Sequence, residues 1–277
     1  MLNINPGKKG ICKVCGRFSE LSYEHVPPKS AFNNNKNYYI SHINPLIKNR
    51  NAETFDELRK IDSKNITKKQ GGIGFYSLCR NCNTNFGTWY VRAYSEWVKQ
   101  SINYIEFIIK NPLDNFVVKI YPLRVLKQIV SMFFTLNYKE FSKEYPILKR
   151  FILSKESTEF DSRIRIFIYY NAIGGVLRYL PHNTILDLNL GEKPVNLSEI
   201  AFPPLGLVMT MNDGDVDPRL SEITFFSNFN YNQEVEMNQN LCILNTMIEF
   251  AGDYRTKVEI EIALKESKKF KENNPEI

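Results

Sequence analysis

The chain has 277 residues, 43% hydrophobic and 24% charged, which is enough apolar material for a real core and two domains and excludes a wholly disordered chain. No segment reaches the roughly 20 unbroken apolar residues of a bilayer span. The start (Met1, Leu2, Asn3, Ile4, Asn5, Pro6) lacks the apolar stretch of a signal peptide, so the expected location is cytoplasmic. The net charge of +6 is unevenly spread, with 17 Lys and Arg against 8 Asp and Glu in residues 1–110 and 19 against 22 in residues 111–277. A basic front half on a slightly acidic remainder fits contact with a polyanion, and equally a solvated lysine-rich surface.

In chain order, the first feature is the pair Cys12-x-x-Cys15, followed by Glu24-His25-Val26-Pro27-Pro28-Lys29. Residues 31–72 are polar and rich in Asn and Lys, with one short helix predicted over 54–61 and Thr54-x-x-Glu57 as its capping box. Gly71-Gly72-Ile73-Gly74 leads through Phe75, Tyr76 and Leu78 into a second pair, Cys79-x-x-Cys82. After Cys82, Tyr90, Tyr94, Trp97, Ser101, Tyr104, Ile105 and Ile108 recur at offsets of three and four, which predicts a long amphipathic helix ended by Asn111-Pro112. Its aromatic stripe reads as a core face, because base-stacking platforms usually sit on sheets or grooves.

A second helix is predicted from Pro122, in the first turn, to about Leu136, with Leu123, Leu126, Val130, Phe133 and Phe134 on one face. Residues 137–153 continue helical with a break at Pro146. Beyond Arg163 the texture changes to short β-like runs at 164–170, 205–211, 223–229 and 241–245, separated by Gly, Pro, Asn and Asp. A last helix begins at Thr256, where Thr256-x-x-Glu259 forms a capping box. The predicted fold class is α+β.

Four of the five cysteines lie in the two Cys-x-x-Cys pairs, and the fifth, Cys242, sits in an apolar run as a buried small hydrophobe. Disulfides are out of place in a chain with no export signal, which favours a metal. Two residues between cysteines let one tight turn present both sulfurs to the same Zn²⁺ at about 2.3 Å, and Gly16 suits such a knuckle. The 63 residues between Cys15 and Cys79 are a long closure, but closure entropy grows only logarithmically with length. Redox use is the competing reading, although neither pair sits in an evident βαβ pattern.

Cys12-x-x-Cys15, then Glu24-His25 with Pro27, then Cys79-x-x-Cys82-Asn83 resemble, in that order, the HNH or ββα-metal endonucleases, in particular their zinc-stapled, endonuclease VII-like branch. The likeness covers roughly residues 10–100. It implies a strand carrying Glu24-His25, a second strand and a helix beginning beside the last cysteine, as a zinc-stapled ββα domain over 1–111. A mixed helical and β-strand domain over 112–277, regulatory or oligomerising, would follow. The resemblance assigns structural Zn²⁺ to Cys12, Cys15, Cys79 and Cys82. It makes His25 the general base, as a neutral imidazole near pH 7, and gives Mg²⁺ or Mn²⁺ to the hard oxygens of Glu24 and Asn83. The implied activity is phosphodiester hydrolysis, with DNA as the nucleic-acid partner. Small proteins of this family with an unrelated second domain suggest, by analogy, a phage-defence or mobile-element effector.

The pattern departs from the family in two places. A further His, Asp or Glu ligand one turn into the helix is replaced by Thr84, Asn85, Phe86 and Gly87, and the intermediate Asn that orients the histidine is not placed among the asparagines of 31–65. Lys29, Arg80 and Arg92 are the nearest candidates for phosphate contact. The alternative function is a non-catalytic zinc module that binds nucleic acid or a protein. In the C-terminal half, Asp213-Gly214-Asp215-Val216-Asp217 lacks the EF-hand pattern and reads as a solvated loop, while Asp253-Tyr254-Arg255 reads as a capping and packing feature.

Overall fold

The computed structural model describes residues 8–34, 37–41, 49, 51–61, 63–110, 116–173, 175–186 and 192–274, and the protein is mixed α+β. Strands β1 (Lys9–Ile11) and β2 (Phe18–His25) form a hairpin whose turn carries the first cysteine pair. A separate two-stranded ribbon follows, β3 (Tyr38–Ser41) against β4 (Ile66–Lys69), with the short helix α1 (Phe55–Leu58) between its strands. Strand β5 (Gly74–Cys79) then returns antiparallel to β2, giving the order β1-β2-β5.

The predicted capping box at 54–57 is displaced by one residue. Thr54 accepts from the Glu57 amide at 3.2 Å, but the Glu57 carboxylate takes the Glu53 amide at 2.9 Å. The helix is correspondingly a single turn.

Helix α2 (Arg80–Phe86) starts directly at Cys79 and continues through a π turn at Gly87–Val91 into α3 (Arg92–Lys110). Tyr90, Tyr94, Trp97, Ser101 and Tyr104 are all buried, so the aromatic stripe is a core face. The expected stop at Asn111-Pro112 lies outside the described residues, as does His42, one of the three histidines. After β6 (Val117–Ile120), helix α4 (Pro122–Leu136) begins with Pro122 in its first turn. It is buried nearly all round, Lys127 and Gln128 included, rather than on one face only. Short helices α5 (Phe141–Glu144) and α6 (Pro146–Leu153) flank the break at Pro146.

The large sheet consists of β7 (Arg165–Ile173), β8 (Arg178–Ile185), β9 (Val195–Phe202), β10 (Leu205–Thr210) and β11 (Ser221–Glu222) in the order β11-β7-β10-β9-β8. Strand β12 (Val235–Asn238) pairs with β6, and β13 (Ile243–Asn245) lies parallel to β7. Helix α7 (Lys257–Asn273) closes the chain behind a complete Thr256–Glu259 capping box.

Two expectations from the sequence need correction. The run 223–229 is a helical turn over Thr224–Asn228, because Ser227 hydrogen-bonds the Thr224 carbonyl and supplies the backbone with a local alternative to a ladder. Cys242 is exposed, since Leu241 and Leu244 take the inward positions of that run.

One hydrophobic cluster runs from Cys12 and Val14 through Leu78, Trp97 and Phe133 to Ile168 and Leu241. The cysteine hairpin, the aromatic helix and the large sheet therefore share an interior. No helix among the described residues is long and apolar enough to cross a membrane.

Candidate metal centre and the Glu24-His25 strand end

The first cysteine pair is shaped by its backbone. The Cys12 amide bonds the Arg17 carbonyl and the Gly16 amide bonds the Cys12 carbonyl, each at 2.9 Å, and Gly16 holds φ +79, a left-handed value that favours glycine. Cys79 ends β5 and caps α2, while Cys82 lies in the first turn of that helix, where side chains lean back toward the N-terminus.

All four sulfurs lie within 4.8 Å of one another. The Cys15 and Cys79 sulfurs are 3.8 Å apart, and a tetrahedron with metal–sulfur bonds of about 2.3 Å has edges of about 3.8 Å. The four cysteines thus form a cluster that can hold a metal ion such as zinc. The contact with Cys82 holds the Cys12 thiol well below its usual range, and the same contact pushes Cys82 up. Beside the cluster a cavity of about 530 Å³ is lined by Arg17 and Arg80 among others, whose positive charges suit a formally dianionic zinc–thiolate centre.

The Glu24 carboxylate is only 6% exposed, and no hydrogen bond or ion pair reaches it among the described residues. Burial alone pushes its carboxyl up to about 8. A carboxylate left in this state is costly unless a cation meets it. The backbone beside it is equally crowded, because a Cβ on Gly74 would stand 2.2 Å from the Glu24 carbonyl oxygen.

His25 is the last residue of β2. Its Nε2 lies 3.0 Å from the Gly71 carbonyl oxygen, and since a carbonyl only accepts, this bond assigns the proton to Nε2 and leaves the lone pair on Nδ1. The Tyr23 ring meets the imidazole edge-on at 4.9 Å, and its hydroxyl donates to the Gly72 carbonyl at 3.3 Å. Burial lowers the imidazole pKa and the Lys29 charge lowers it further, against the pull of the Gly71 bond. The ring is therefore neutral near neutral pH.

The chain just after Gly71 is tied to the strand end by a residue the sequence did not single out. Asn33 is 1% exposed and donates Nδ2 to the carbonyls of Pro27 and Ile73, both at 2.7 Å, while its Oδ1 accepts from the Ile73 amide at 2.8 Å. Gly71 and Gly72 have φ of +87 and +89, and a Cβ on Gly72 would lie 2.2 Å from the Asn33 carbonyl oxygen. The clustered glycines were the available signal, but they do not name the asparagine that clasps them.

Asn83 donates to Ser22 Oγ at 2.9 Å, and Ser22 in turn donates to the Leu78 carbonyl at 3.1 Å. This relay fixes the amide and leaves Asn83 Oδ1 unengaged among the described residues. Ser22 lies two residues before Glu24, on the same strand face and about 6–7 Å along β2. Asn83 is thereby tied to the Glu24 face. Alternation turns His25 to the opposite face, and the two faces meet only at the strand end, which His25 occupies.

Of the basic candidates, Arg92 is engaged with Glu96 at 2.8 Å, whereas Lys29 and Arg80 have no carboxylate partner among the described residues. In the acidic loop, Asp217 is not solvated but is held at both oxygens by Arg219, and Asp215 accepts from the Lys193 amide. Asp253 is likewise paired with Arg255 just before α7, as a packing feature. Among the described residues, the four cysteines are the group of three or more metal-ligating side chains close enough to share an ion. No family model, curated protein or solved structure matches the chain.

Proposed function

We propose that the chain is a metal-dependent endonuclease of the HNH type that hydrolyses phosphodiester bonds in DNA. The observation that carries this reading is the pairing, at one strand end, of a buried carboxylate without a partner and a neutral imidazole of assigned tautomer, Glu24 and His25. The cysteine cluster, with zinc, holds β2, β5 and α2 together. His25 Nδ1 takes the proton of the attacking water, and the Gly71 carbonyl stabilises the imidazolium that results. The free oxygens of Glu24 and Asn83 would hold Mg²⁺ or Mn²⁺, and such an ion would supply counter-charge to the scissile phosphate and the leaving oxygen. Lys29, whose charge acts on His25, would meet a neighbouring phosphate.

The test is cleavage of plasmid DNA by the purified full chain with Mg²⁺ or Mn²⁺. His25→Ala is expected to slow cutting by about 10²–10⁴-fold while the zinc content stays at that of the wild type. Equal cutting by the two proteins would overturn the mechanism.

A further inference from the structure

The chain between the two cysteine pairs does more than close a loop. Its β3–β4 ribbon stands apart from the other sheets, paired as Tyr38 with Lys69, Tyr39 with Lys68, Ile40 with Thr67 and Ser41 with Ile66. The ribbon is anchored at the strand end that carries His25. Gln70 leads from β4 straight into Gly71, whose carbonyl accepts the hydrogen bond of the imidazole, and the hydroxyls of Tyr38 and Tyr23 meet. Cross-strand partners share a face, so Tyr39 and Lys68 lie on the side opposite Tyr38 and Lys69, turned away from Tyr23.

The ribbon's surface is costly to leave bare. Tyr39 is 67% exposed and Ile40 40%. Lys68 and Lys69 are exposed and have no carboxylate partner among the described residues. No Asp or Glu occurs within 37–41 or 63–70. Lysine on an edge strand discourages edge-to-edge pairing, but an exposed tyrosine and isoleucine beside it work against that purpose. A two-stranded ribbon is also only marginally stable in water by itself.

We propose that this ribbon is a clamp for duplex DNA that enters the major groove beside the phosphate to be cut, with Lys68 and Lys69 on the backbone and Tyr39 against the bases. The B-form major groove, about 12 Å wide, admits a two-stranded ribbon. The major groove of duplex RNA is too narrow to be entered, so the ribbon selects DNA over RNA duplexes. The inference rests on the nuclease reading for the position of the phosphate, but not for the binding itself.

The experiment measures binding of fluorescent 30-base-pair DNA, duplex RNA of the same sequence and single-stranded DNA to the full zinc-loaded chain without added Mg²⁺ or Mn²⁺. Lys68→Glu/Lys69→Glu, Lys68→Ala/Lys69→Ala and Tyr39→Ala are compared with the unaltered ribbon across a salt series. The alanine pair is expected to weaken duplex DNA binding on the order of tenfold and to lower the salt slope by about 2, since each phosphate contact contributes about 0.9. Tyr39→Ala should reduce the preference for duplex DNA over duplex RNA. Zinc content and melting temperature should match the parent. Unchanged affinity and slope in both lysine pairs, or equal binding of duplex RNA, would overturn the clamp, and so would preferential binding of single strands. Cleavage of plasmid by wild type separates the two readings. Cutting with a dispensable ribbon sinks the clamp alone, while a ribbon-dependent affinity without cutting sinks the nuclease alone.

Discussion

Lys13 Nζ donates to the Thr135 carbonyl at 2.7 Å, joining the cysteine hairpin to the end of α4. The same ammonium reaches the Asn137 carbonyl. It therefore occupies the place where a helix leaves its last carbonyls unpaired and where a cation is favoured by the helix dipole. Asn137 also accepts the His182 amide at 2.8 Å and the Ser198 hydroxyl at 3.1 Å, so hairpin, helix and large sheet meet at one point. Lys13→Met keeps the apolar stem and removes the donor. It is expected to cost about 1–2 kcal/mol in urea unfolding with no loss of zinc. An unchanged midpoint would mean that packing alone docks the hairpin.

Glu24 is expected to be a liability in the metal-free protein. Glu24→Gln replaces a buried, unpartnered carboxylate with a neutral isostere, and should raise the thermal stability of zinc-loaded, Mn²⁺-free protein by about 1 kcal/mol or more. Added Mn²⁺ should stabilise the wild type and leave the variant unmoved. Identical responses to Mn²⁺ in differential scanning calorimetry would remove Glu24 from the ion's ligands.

Asn33→Ala deletes three hydrogen bonds and leaves the Ile73 amide and two carbonyls without their side-chain partner. A loss of about 2–3 kcal/mol is expected. Because the clasp sets the loop that carries the Gly71 carbonyl, plasmid cutting should fall more steeply than the folded fraction does, while zinc is retained. Activity that simply tracks the folded fraction would make Asn33 a stability residue only.

Lys127 provides a pH signature away from the cysteine cluster. Burial pushes it from 10.5 down to about 7, with Glu156 pulling the other way. Its amine sits over the Phe151 ring and donates to the carbonyls of Phe151 and Ser154. A lysine with a lowered folded-state pKa binds fewer protons in the native state between the two values. Its contribution to stability therefore rises as pH climbs from about 7 toward 10.5. The stability of wild type relative to Lys127→Met should rise across that interval by up to about 1.4 kcal/mol per pH unit. A difference that does not vary with pH would show that the two carbonyls hold the proton on.

The helices and the cysteine cluster were legible because their signals are local. Trp97 and its neighbours recur at helical spacing, Pro122 marks a first turn, and two Cys-x-x-Cys pairs name their own partners. Strands β8 and β9 were not foreseen, since Ser198 and Glu199 break the apolar run and Pro181 interrupts the other strand near a register shift. Those polar side chains are satisfied from far away. Arg178 Nη1 donates to both carboxylate oxygens of Glu199 at 3.1 and 3.2 Å, Tyr169 donates to the same carboxylate, and Asn137 accepts from Ser198. Pattern reading along one strand contains no trace of such partners. Asn33 was hidden for a related reason, because it is one of several asparagines in its region and only its contacts across 40 positions distinguish it.

The Asn33 clasp also draws two distant parts of the chain together at that point. The backbone leaves the strand end after Asn33 and returns to it at Ile73, with one amide holding both edges of the gap. Between those edges Phe55 and Leu58 are buried against Ile248 and Ile260, so the excursion is fastened a second time, to the C-terminal part of the chain. Any replacement for it would have to keep the Gly71 carbonyl at His25 and a cover for Ile248 and Ile260.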